Sequence, residues 1–303
     1  MGDGFRVKFW GVRGSYPKPG SSTVRFGGNT TCLEVNVGER TLIFDAGTGI
    51  IDLGEDLLAR QQGRTGRMVL CLFLTHTHYD HTQGFPFFRP AYLPRSQCYI
   101  FGPRILGEDL TSVLTRTMLS PFFPVELDEM RSEKTIRTIG DHDLVIFQQG
   151  EPEPKIQPAT DLGTLPKEYV IVEAQQSHSH PKGGVFFYRI TRGGKSTVFA
   201  TDTEGYPGED MRLVEFAKGT DLLIHDAQYT PEEYGDAAHT RQGYGHSTYL
   251  MATQVAKKAG ARRLALTHHD PGHDDDFLHE IEAKAQKLLP STFVAAEGMT
   301  IEI

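Results

Sequence analysis

Cysteine is scarce in this chain, and its few cysteines form no metal or disulfide pattern. Three of the 303 residues are cysteines, Cys32, Cys71 and Cys98, and no two of them form a C-x-x-C pair. Cys71 lies in the apolar run "MVLCLFL", where a small buried hydrophobic side chain is expected. The sequence therefore predicts neither a disulfide framework nor a cysteine zinc site, and it favours a reducing compartment.

Long apolar runs are also missing. No segment approaches the roughly eighteen apolar residues that a membrane span needs. The opening "MGDGFRVKFW" lacks a basic region followed by an apolar stretch, which is the pattern of a secretory signal. We therefore expect no membrane association and a cytoplasmic location.

Positive charge is in short supply. The chain has 31 Lys and Arg against 39 Asp and Glu, a net charge of -8, and no block rich in Lys or Arg. A protein that binds long nucleic acid usually presents a basic face to the phosphates. Extended nucleic acid is thus a less favoured partner than a small substrate, and bound divalent cations would offset several of the carboxylates.

Strand-like and helical segments alternate along the chain. Short runs rich in β-branched and aromatic residues, such as "TCLEVNV", "RTLIFDAG" and "MVLCLFLTH", predict strands. A proline-rich stretch at 149–168 predicts a surface loop between two halves, about 1–148 and 169–303. Two β-rich halves with helices predict one α/β domain over 1–303, with two packed sheets and helices outside. Helices are predicted over 51–61, about 106–119, 209–218, 247–258 and 275–288.

The strongest chemical signal is a histidine cluster at the end of an apolar strand. The stretch "LTHTHYDHTQGF" places His76, His78, Asp80 and His81 within six positions. Side chains at i and i+2 of an extended segment point the same way, so His76 and His78 can hold one cation. Asp80 and His81 fall in the turn that follows and can point towards a second cation. Nitrogen and oxygen ligands without thiolate suit zinc, manganese or iron.

Further ligands must come from other strand ends, because one loop cannot complete two coordination shells. Asp202 follows the strand-like run "STVFAT". Two histidine pairs also follow strands, His178 and His180 in "QQSHSHPKGG" and His268 and His269 in "LALTHHDPGH". The residues alone leave open which member of each pair binds metal. Other histidines are expected to be solvated loop residues, namely His142, His239, His273 and His279.

Together these motifs resemble the metallo-β-lactamase fold hydrolases. The spacing of "THTHYDHTQG", "HSHPKGG", "ATDTE", "HDAQYT", "GHST" and "LTHHDP" is similar to that of the ribonuclease Z and small phosphodiesterase branch. The stretches "FWGVRGSYPKPG" and "FGGNTTCLEV" resemble small bacterial members described as cyclic phosphate or cyclic nucleotide phosphodiesterase-like. The likeness runs from about Val7 to Pro271. It implies an αβ/βα four-layer sandwich, in which two mixed β-sheets pack together with helices on both outer faces.

The resemblance also implies a dinuclear site for two divalent metal ions, with zinc favoured and manganese or iron as alternatives. His180 is preferred to His178 because the family's ligand precedes a Pro/Gly turn, and His268 to His269 because the family pattern ends L-T-H. Asp45 matches a strand-end acid that braces the histidine loop without binding metal. The implied ligands are His76, His78 and His180 for one ion, Asp80, His81 and His268 for the other, and Asp202 as a bridge.

A second implied feature separates branches within the fold. In "GHST", His246 precedes a predicted helix with Ser247 as its N-cap, and it resembles the proton donor of ribonuclease Z-like enzymes. Asp226 in "HDAQYT" matches the acid that orients this histidine, and Asp80 is expected to orient the attacking water as well. Branches that transfer acyl groups generally lack such a pair, so the resemblance favours phosphodiesters.

The expected reaction is metal-assisted hydrolysis of a small cyclic or linear phosphodiester, with a water shared by the metals as nucleophile and His246 as proton donor. Arg13 and Asn29 are weaker candidates for contacting the phosphate. The aromatic stretches "GFPFFRPAY" and "SPFFPV" either wall a substrate pocket or pack in the core.

Two alternatives stay within the same fold. One is an RNA-processing nuclease of the ribonuclease Z type, although the chain lacks the long Gly/Lys-rich arm with which those enzymes hold tRNA. The other is a carboxylic or thioester hydrolase, for which His246 would matter little. The resemblance also implies a homodimer, since members of the branch often dimerise.

Overall fold

The computed structural model describes residues 4–159, 165–205 and 210–303. Over these ranges the strands are β1 Phe5–Gly11, β2 Cys32–Val37, β3 Arg40–Phe44, β4 Met68–Phe73, β5 Ser96–Gly102, β6 Glu133–Thr138, β7 Asp143–Phe147, β8 Lys155–Pro158, β9 Val170–Ser177, β10 Val185–Arg192, β11 Lys195–Ala200, β12 Leu222–Asp226, β13 Leu264–Thr267, β14 Thr292–Val294 and β15 Thr300–Glu302. The helices are α1 Gly49–Gln61, α2 Tyr79–Thr82, α3 Leu110–Thr117, α4 Met211–Phe216, α5 Pro231–Tyr234, α6 Tyr249–Ala259 and α7 Asp275–Leu288.

Two mixed sheets form the centre of the molecule. One has seven strands in the order β15-β1-β2-β3-β4-β5-β6, and the other has eight in the order β14-β13-β12-β11-β10-β9-β7-β8. Strands β3 to β6 pair in parallel in the first sheet, as do β11 to β14 in the second. The carboxyl ends of parallel strands gather at one edge of each sheet, where α/β proteins usually bind their ligands.

The inner faces of the sheets share an aromatic core. Phe73 of β4 stacks between Phe44 and Phe101, with ring centroids 5.1 and 4.9 Å away. Tyr188 of the second sheet lies 5.5 Å from both Phe44 and Phe73, and its hydroxyl donates to the Leu74 carbonyl at 2.7 Å. Helices α1 and α3 cover the first sheet, and α4, α6 and α7 cover the second. The predicted four-layer α/β sandwich is therefore confirmed.

The predicted helices are present, with some shifted ends; residue 209, where the fourth was predicted to begin, lies outside the described residues. Helix α7 has the predicted bounds, and α6 ends at Gly260, which adopts a left-handed φ of 65°. The predicted N-cap of α6 is wrong by one residue, because the Thr248 hydroxyl accepts from the Met251 amide while the Ser247 hydroxyl donates to the Thr203 carbonyl. Among the residues described, no helix is both long and apolar enough to cross a membrane.

The chain crosses between the sheets in a way that the sequence did not predict. The stretch 149–168 was predicted to be a surface loop, but it contains β8, which pairs antiparallel with β7 at the sheet edge; residues 160–164 lie outside the described residues. Strand β7 belongs to the second sheet and β15 to the first, so the halves 1–148 and 169–303 do not each form one sheet. Alternating hydrophobicity predicts a strand but does not identify its partner.

Candidate metal centre

The predicted metal ligands meet where the carboxyl edges of the two sheets face each other. The strands that lead into them are β4 in the first sheet and β9, β11 and β13 in the second. The loops after these strands supply, in that order, His76, His78, Asp80 and His81; His180; Asp202; and His268. Residues far apart in the chain thus reach one point because the strands before them end at the same edge.

Three histidines form the first cluster. The Nδ1 atom of His78 lies 3.0 Å from Nε2 of His76 and 3.0 Å from Nε2 of His180. Asp202 Oδ2 lies 3.7 Å from His76 Nε2 and 3.8 Å from His180 Nε2. A tetrahedral zinc site with bonds of 2.0 to 2.1 Å has ligand atoms roughly 3.3 Å apart, so this spacing suits one cation.

Two carboxylates and two histidines form the second cluster. Asp80 Oδ2 lies 3.3 Å from His81 Nε2 and 3.2 Å from His268 Nε2. The Oδ1 atom of Asp202 lies 3.2 Å from each of the same two nitrogens. Asp202 therefore presents one oxygen to each cluster, which is the geometry of a bridging ligand.

Hydrogen bonds orient three of the candidate histidine ligands through the ring nitrogen that faces away from the clusters. His81 is fully buried; its Nδ1 donates to Asp45 Oδ2 at 2.8 Å, while its Nε2 has no hydrogen-bond partner among the described residues. A buried polar atom without a partner is costly, and a bound cation would satisfy it. Two other ligands are oriented in the same way, His180 by the Gly245 carbonyl at 3.1 Å and His268 by Gln228 Oε1 at 3.0 Å.

Burial and neighbouring charges set the ionisation of the candidate ligands. Burial holds the pKa of His76 well below its ordinary value, and the neighbouring His81 lowers it further, which keeps the His76 imidazole neutral. Burial alone would raise the pKa of Asp80, but the adjacent His81 and His268 hold it well below its ordinary value. Burial alone would lower the pKa of His81, but the carboxylates of Asp202, Asp80 and Asp45 raise it well above its ordinary value. Neutral imidazoles and ionised carboxylates are the forms that bind metal ions, so a bound cation would displace the second ring proton of His81.

An acid-base pair lies directly against these clusters. His246 Nδ1 donates to Asp226 Oδ2 at 2.7 Å, and Asp226 Oδ1 accepts from the amides of Ser247 and Gln228 at 3.0 and 3.1 Å. The His246 ring stacks on that of His268, with centroids 4.9 Å apart. Burial would lower the pKa of His246, but Asp226 raises it to about 9. Asp226 thus favours the protonated form of His246, and Asp226 binds only the Nδ1 side of the ring, which leaves Nε2 for another partner.

The family model described as "Beta-lactamase superfamily domain" matches residues 40–269. The chain belongs to the β-lactamase superfamily. It is 31% identical to ribonuclease Z of Metallosphaera sedula over 235 residues, which cover 73% of this chain and 77% of that protein. It is 28% identical to ribonuclease Z of Myxococcus xanthus over 307 residues, which cover 91% and 92%. The crystal structure of human tRNase Z, short form, covers 98% of both chains, with 22% identity and a TM-score of 0.63. The expectation of a metallo-β-lactamase fold hydrolase is confirmed.

The resemblance to the superfamily pattern favoured His180 over His178 and His268 over His269 as metal ligands, and the two members of each pair differ in position. His178 is exposed and belongs to neither cluster, while His180 completes the first. His269 is buried, but its Nε2 donates to the Ala295 carbonyl at 2.9 Å, and burial lowers its pKa to about 3. Among the described residues, His180 and His268 thus lie in the candidate metal clusters, and His178 and His269 lie outside them.

Arg13 does not contact the site as the sequence suggested. Its side chain is fully buried, so it is unavailable to a phosphate in the cleft. It ties the N-terminal loop to the loop that follows His268. The guanidinium donates to three backbone carbonyls, those of Gly27, Asp270 and His273.

Two other polar side chains differ from expectation for similar reasons. Asn29 donates its side-chain amide to Glu297 Oε2 at 3.2 Å, which holds it away from any phosphate-binding role. His273 was predicted to be a solvated loop residue, but it is buried and its Nε2 donates to Glu233 Oε1 at 2.8 Å. The other three histidines of that group are exposed as expected, namely His142, His239 and His279, but His279 lies in α7 and not in a loop.

The sequence did not predict two groups that orient candidate metal ligands, the Ser15 amide and the Gln228 side chain. The amide of Ser15 donates to Asp80 Oδ2 at 2.8 Å, so the N-terminal loop orients a metal ligand through its backbone. Gln228 orients His268, although it lies inside the "HDAQYT" stretch that was noted only for Asp226. A backbone donor has no residue type that identifies it, and a lone glutamine is recognised only once its partner is known.

We expect Asp45→Asn to weaken metal binding without unfolding the protein. Asp45 accepts from the Thr75 amide at 2.8 Å and from His81 Nδ1 at 2.8 Å, so it fixes both the ligand loop and the tautomer of His81. Loss of such an outer carboxylate typically lowers metal affinity about 10–100-fold. Competition with a chromophoric chelator measures the change, with the exposed Asp128→Asn as matched control. An affinity equal to that of the parent protein would contradict the bracing role.

Proposed function

We propose that this protein is a dinuclear zinc phosphodiesterase that hydrolyses small cyclic or linear phosphodiesters of the cyclic nucleotide type. The observation that carries the proposal is the His246–Asp226 pair. The His246 ring stacks on His268, which belongs to the second cluster together with Asp202. A held proton beside a two-metal cluster suits a reaction in which an alkoxide leaves phosphorus. Hydrolysis of carboxylic esters or thioesters has less need of a proton donor, so we favour phosphodiester hydrolysis over it.

The ligands and the acid-base pair divide the chemistry between them. Two divalent cations, when bound, would supply an activated water and neutralise charge on the non-bridging phosphate oxygens. Asp80, held by the Ser15 amide at 2.8 Å, orients the attacking water from within the second cluster. His246 carries its transferable proton on Nε2, because Nδ1 is bound to Asp226, and donates it to the departing oxygen.

Two features support a small substrate. In the stretches "THTHYDHTQG", "HSHPKGG", "ATDTE", "HDAQYT", "GHST" and "LTHHDP" the one basic residue is Lys182, which provides little attraction for a long phosphate backbone. Exposed aromatic rings lie next to site residues, and such rings suit a flat group. These are Tyr16, Tyr79 and Tyr244, which are 54%, 76% and 52% exposed.

The aromatic segments noted in the sequence divide between core and surface. Phe85 and Phe88 are buried beneath the first sheet, where they pack with α1 and β5. Phe87 and Phe122 are exposed, at 53% and 88%. The buried pair thus agrees with the core-packing alternative. The exposed pair is accessible to a substrate or partner, as the pocket alternative requires.

RNA cleavage is the second candidate function. The relative named ribonuclease Z from Myxococcus xanthus is matched over 92% of its length. An enzyme that binds RNA through several phosphates would lose affinity steeply as salt is raised, by about a thousandfold between low and physiological salt. Turnover of a small diester would respond far less, so salt dependence separates the two candidates.

The proposal is tested on purified protein loaded with zinc or manganese. We expect about two metal ions per chain by mass spectrometry and cleavage of cyclic AMP isomers and bis(4-nitrophenyl) phosphate. Structured RNA and 4-nitrophenyl acetate serve as the competing substrates, and light scattering on the same sample tests the homodimer. Ester cleavage without diester cleavage, or one metal per chain at saturation, would overturn the proposal.

A further inference from the structure

A buried carboxylate holds the segment before His246, residues 234–245, to the body of the protein. Glu204 is 2% exposed and follows β11 two residues after Asp202. A buried carboxylate with three donors holds its partners firmly, because freeing any of them leaves charge unpaired. The donors to Glu204 are the Tyr234 hydroxyl at 2.6 Å and the amides of Gly243 and Gly245 at 2.7 and 2.9 Å.

This segment contains an arginine whose guanidinium lies within cation–π distance of two tyrosine rings. The Arg241 guanidinium carbon lies 5.8 Å from the ring centroid of Tyr229 and 5.8 Å from that of Tyr244. In the part of the chain that the structure describes, Arg241 forms no ion pair with a carboxylate. Its donors are therefore available to a ligand. We refer to Tyr229, Arg241 and Tyr244 together as the Arg241 shelf.

The shelf adjoins the acid-base pair. The Tyr229 ring meets the His246 ring edge-on, with centroids 6.0 Å apart, and Tyr229 is 4% exposed. Tyr244 lies two residues before His246 and is 52% exposed. A group whose oxygen receives the proton of His246 must lie beside His246, and the Tyr229 ring places the shelf one ring contact away from His246.

We propose that the Arg241 shelf binds a nucleobase on the leaving-group side of the substrate. This inference rests on the proposed phosphodiesterase function, because that function identifies the side of the site on which the leaving group lies. The exposed face of Tyr244 offers a stacking surface, and the planar guanidinium adds a cation beside it with donors for ring nitrogens and carbonyl oxygens. The substrate class is thereby narrowed to nucleotide diesters, in which recognition of the base and protonation of the leaving oxygen occur side by side.

Calorimetric binding of two matched probes tests the shelf without requiring turnover. AMP carries a base, and ribose 5-phosphate carries the same sugar phosphate without one. We expect zinc-loaded protein to bind AMP at least about tenfold more tightly, which is the effect expected of one stacked base. Arg241→Ala and Tyr244→Ala should each remove most of that preference and leave ribose 5-phosphate binding unchanged.

Conservative variants and a distant control separate recognition from damage. Tyr244→Phe keeps the stacking face and should keep the preference, whereas Arg241→Lys loses the planar group and should lose part of it. Arg131→Ala changes an exposed arginine at the amino end of β6, the edge opposite the metal centre, and should alter neither affinity. An unchanged thermal midpoint shows that each variant is folded.

The outcomes distinguish the shelf from the function. Equal affinities for AMP and ribose 5-phosphate, or a preference that survives both alanine variants, would overturn the shelf; equal affinities would mean that phosphate alone is bound. Hydrolysis of bis(4-nitrophenyl) phosphate is measured on the same samples. A base preference without hydrolysis would support the shelf and overturn the phosphodiesterase function, and hydrolysis without a preference would do the reverse.

Discussion

Replacing Asp202 by alanine is expected to abolish hydrolysis and to release metal from both halves of the centre. Among the described residues, Asp202 is the candidate ligand that presents one carboxylate oxygen to each cluster, with Oδ1 3.2 Å from His81 Nε2 and Oδ2 3.7 Å from His76 Nε2. Its removal leaves each half one oxygen short and removes the negative charge between two cations. We expect a loss of at least about a thousandfold in kcat/KM, since metal chemistry contributes several kcal/mol to the reaction.

Metal analysis distinguishes this effect from simple misfolding. The variant should hold fewer than one tightly bound ion per chain, while the exposed Asp128→Ala keeps the full complement and full activity. Asp202→Asn retains the shape of the side chain and removes its charge, so it should resemble the alanine variant in activity. Two retained ions with activity within about tenfold of the parent protein would rule out the bridging role.

The position of the candidate ligands at strand ends explains why the sequence could predict that they lie close together. His76, Asp202 and His268 lie more than 60 positions apart in sequence, yet each follows a strand that ends at the shared edge. A strand-like run followed by His or Asp therefore carries information about distant neighbours that a loop residue does not. The choice between adjacent histidines depended instead on the family resemblance, because spacing alone does not show which of two side chains points inward.

Backbone conformation is the part of the site that sequence patterns did not predict. Asp45, Asp202 and His268 have φ angles of 62°, 52° and 61°, which are uncommon for residues other than glycine. Such left-handed residues cluster at functional sites, where the surrounding structure maintains them. Each turns the chain at a strand end, so the direction of its side chain does not follow from the alternation of the strand before it.

The errors concern residues whose role depends on a distant partner. Arg13 looked like a phosphate ligand because arginine in a glycine-rich loop often is one, but three carbonyls from other loops enclose it. Strand β8 was hidden in a proline-rich stretch because an edge strand needs only one partner, and β7 supplies it. In both cases the deciding contact is a tertiary one that local composition does not indicate.

Replacing His246 by alanine is expected to slow hydrolysis in proportion to the basicity of the leaving group. For a cyclic nucleotide, whose leaving oxygen is an alkoxide, loss of the proton donor should lower kcat about 10²–10⁴-fold. For bis(4-nitrophenyl) phosphate the departing nitrophenolate needs little protonation, so the loss should stay within about tenfold. Metal content should change little, because His246 belongs to neither the three-histidine cluster nor the cluster of Asp80, His81, Asp202 and His268, although it lies close enough to Asp202 and His268 for measured metal content to be an essential control.

Asp226 supplies the control, because it acts through His246. Asp226→Asn removes the carboxylate that accepts the Nδ1 proton at 2.7 Å, so the pKa of His246 should fall and less of it should be protonated. A variant with both His246→Ala and Asp226→Asn should be no slower than His246→Ala alone, since two groups that act as one unit are not additive. Equal losses on the cyclic nucleotide and the nitrophenyl diester would show instead that His246 supports the structure of the metal centre, and the proton-donor role would be abandoned.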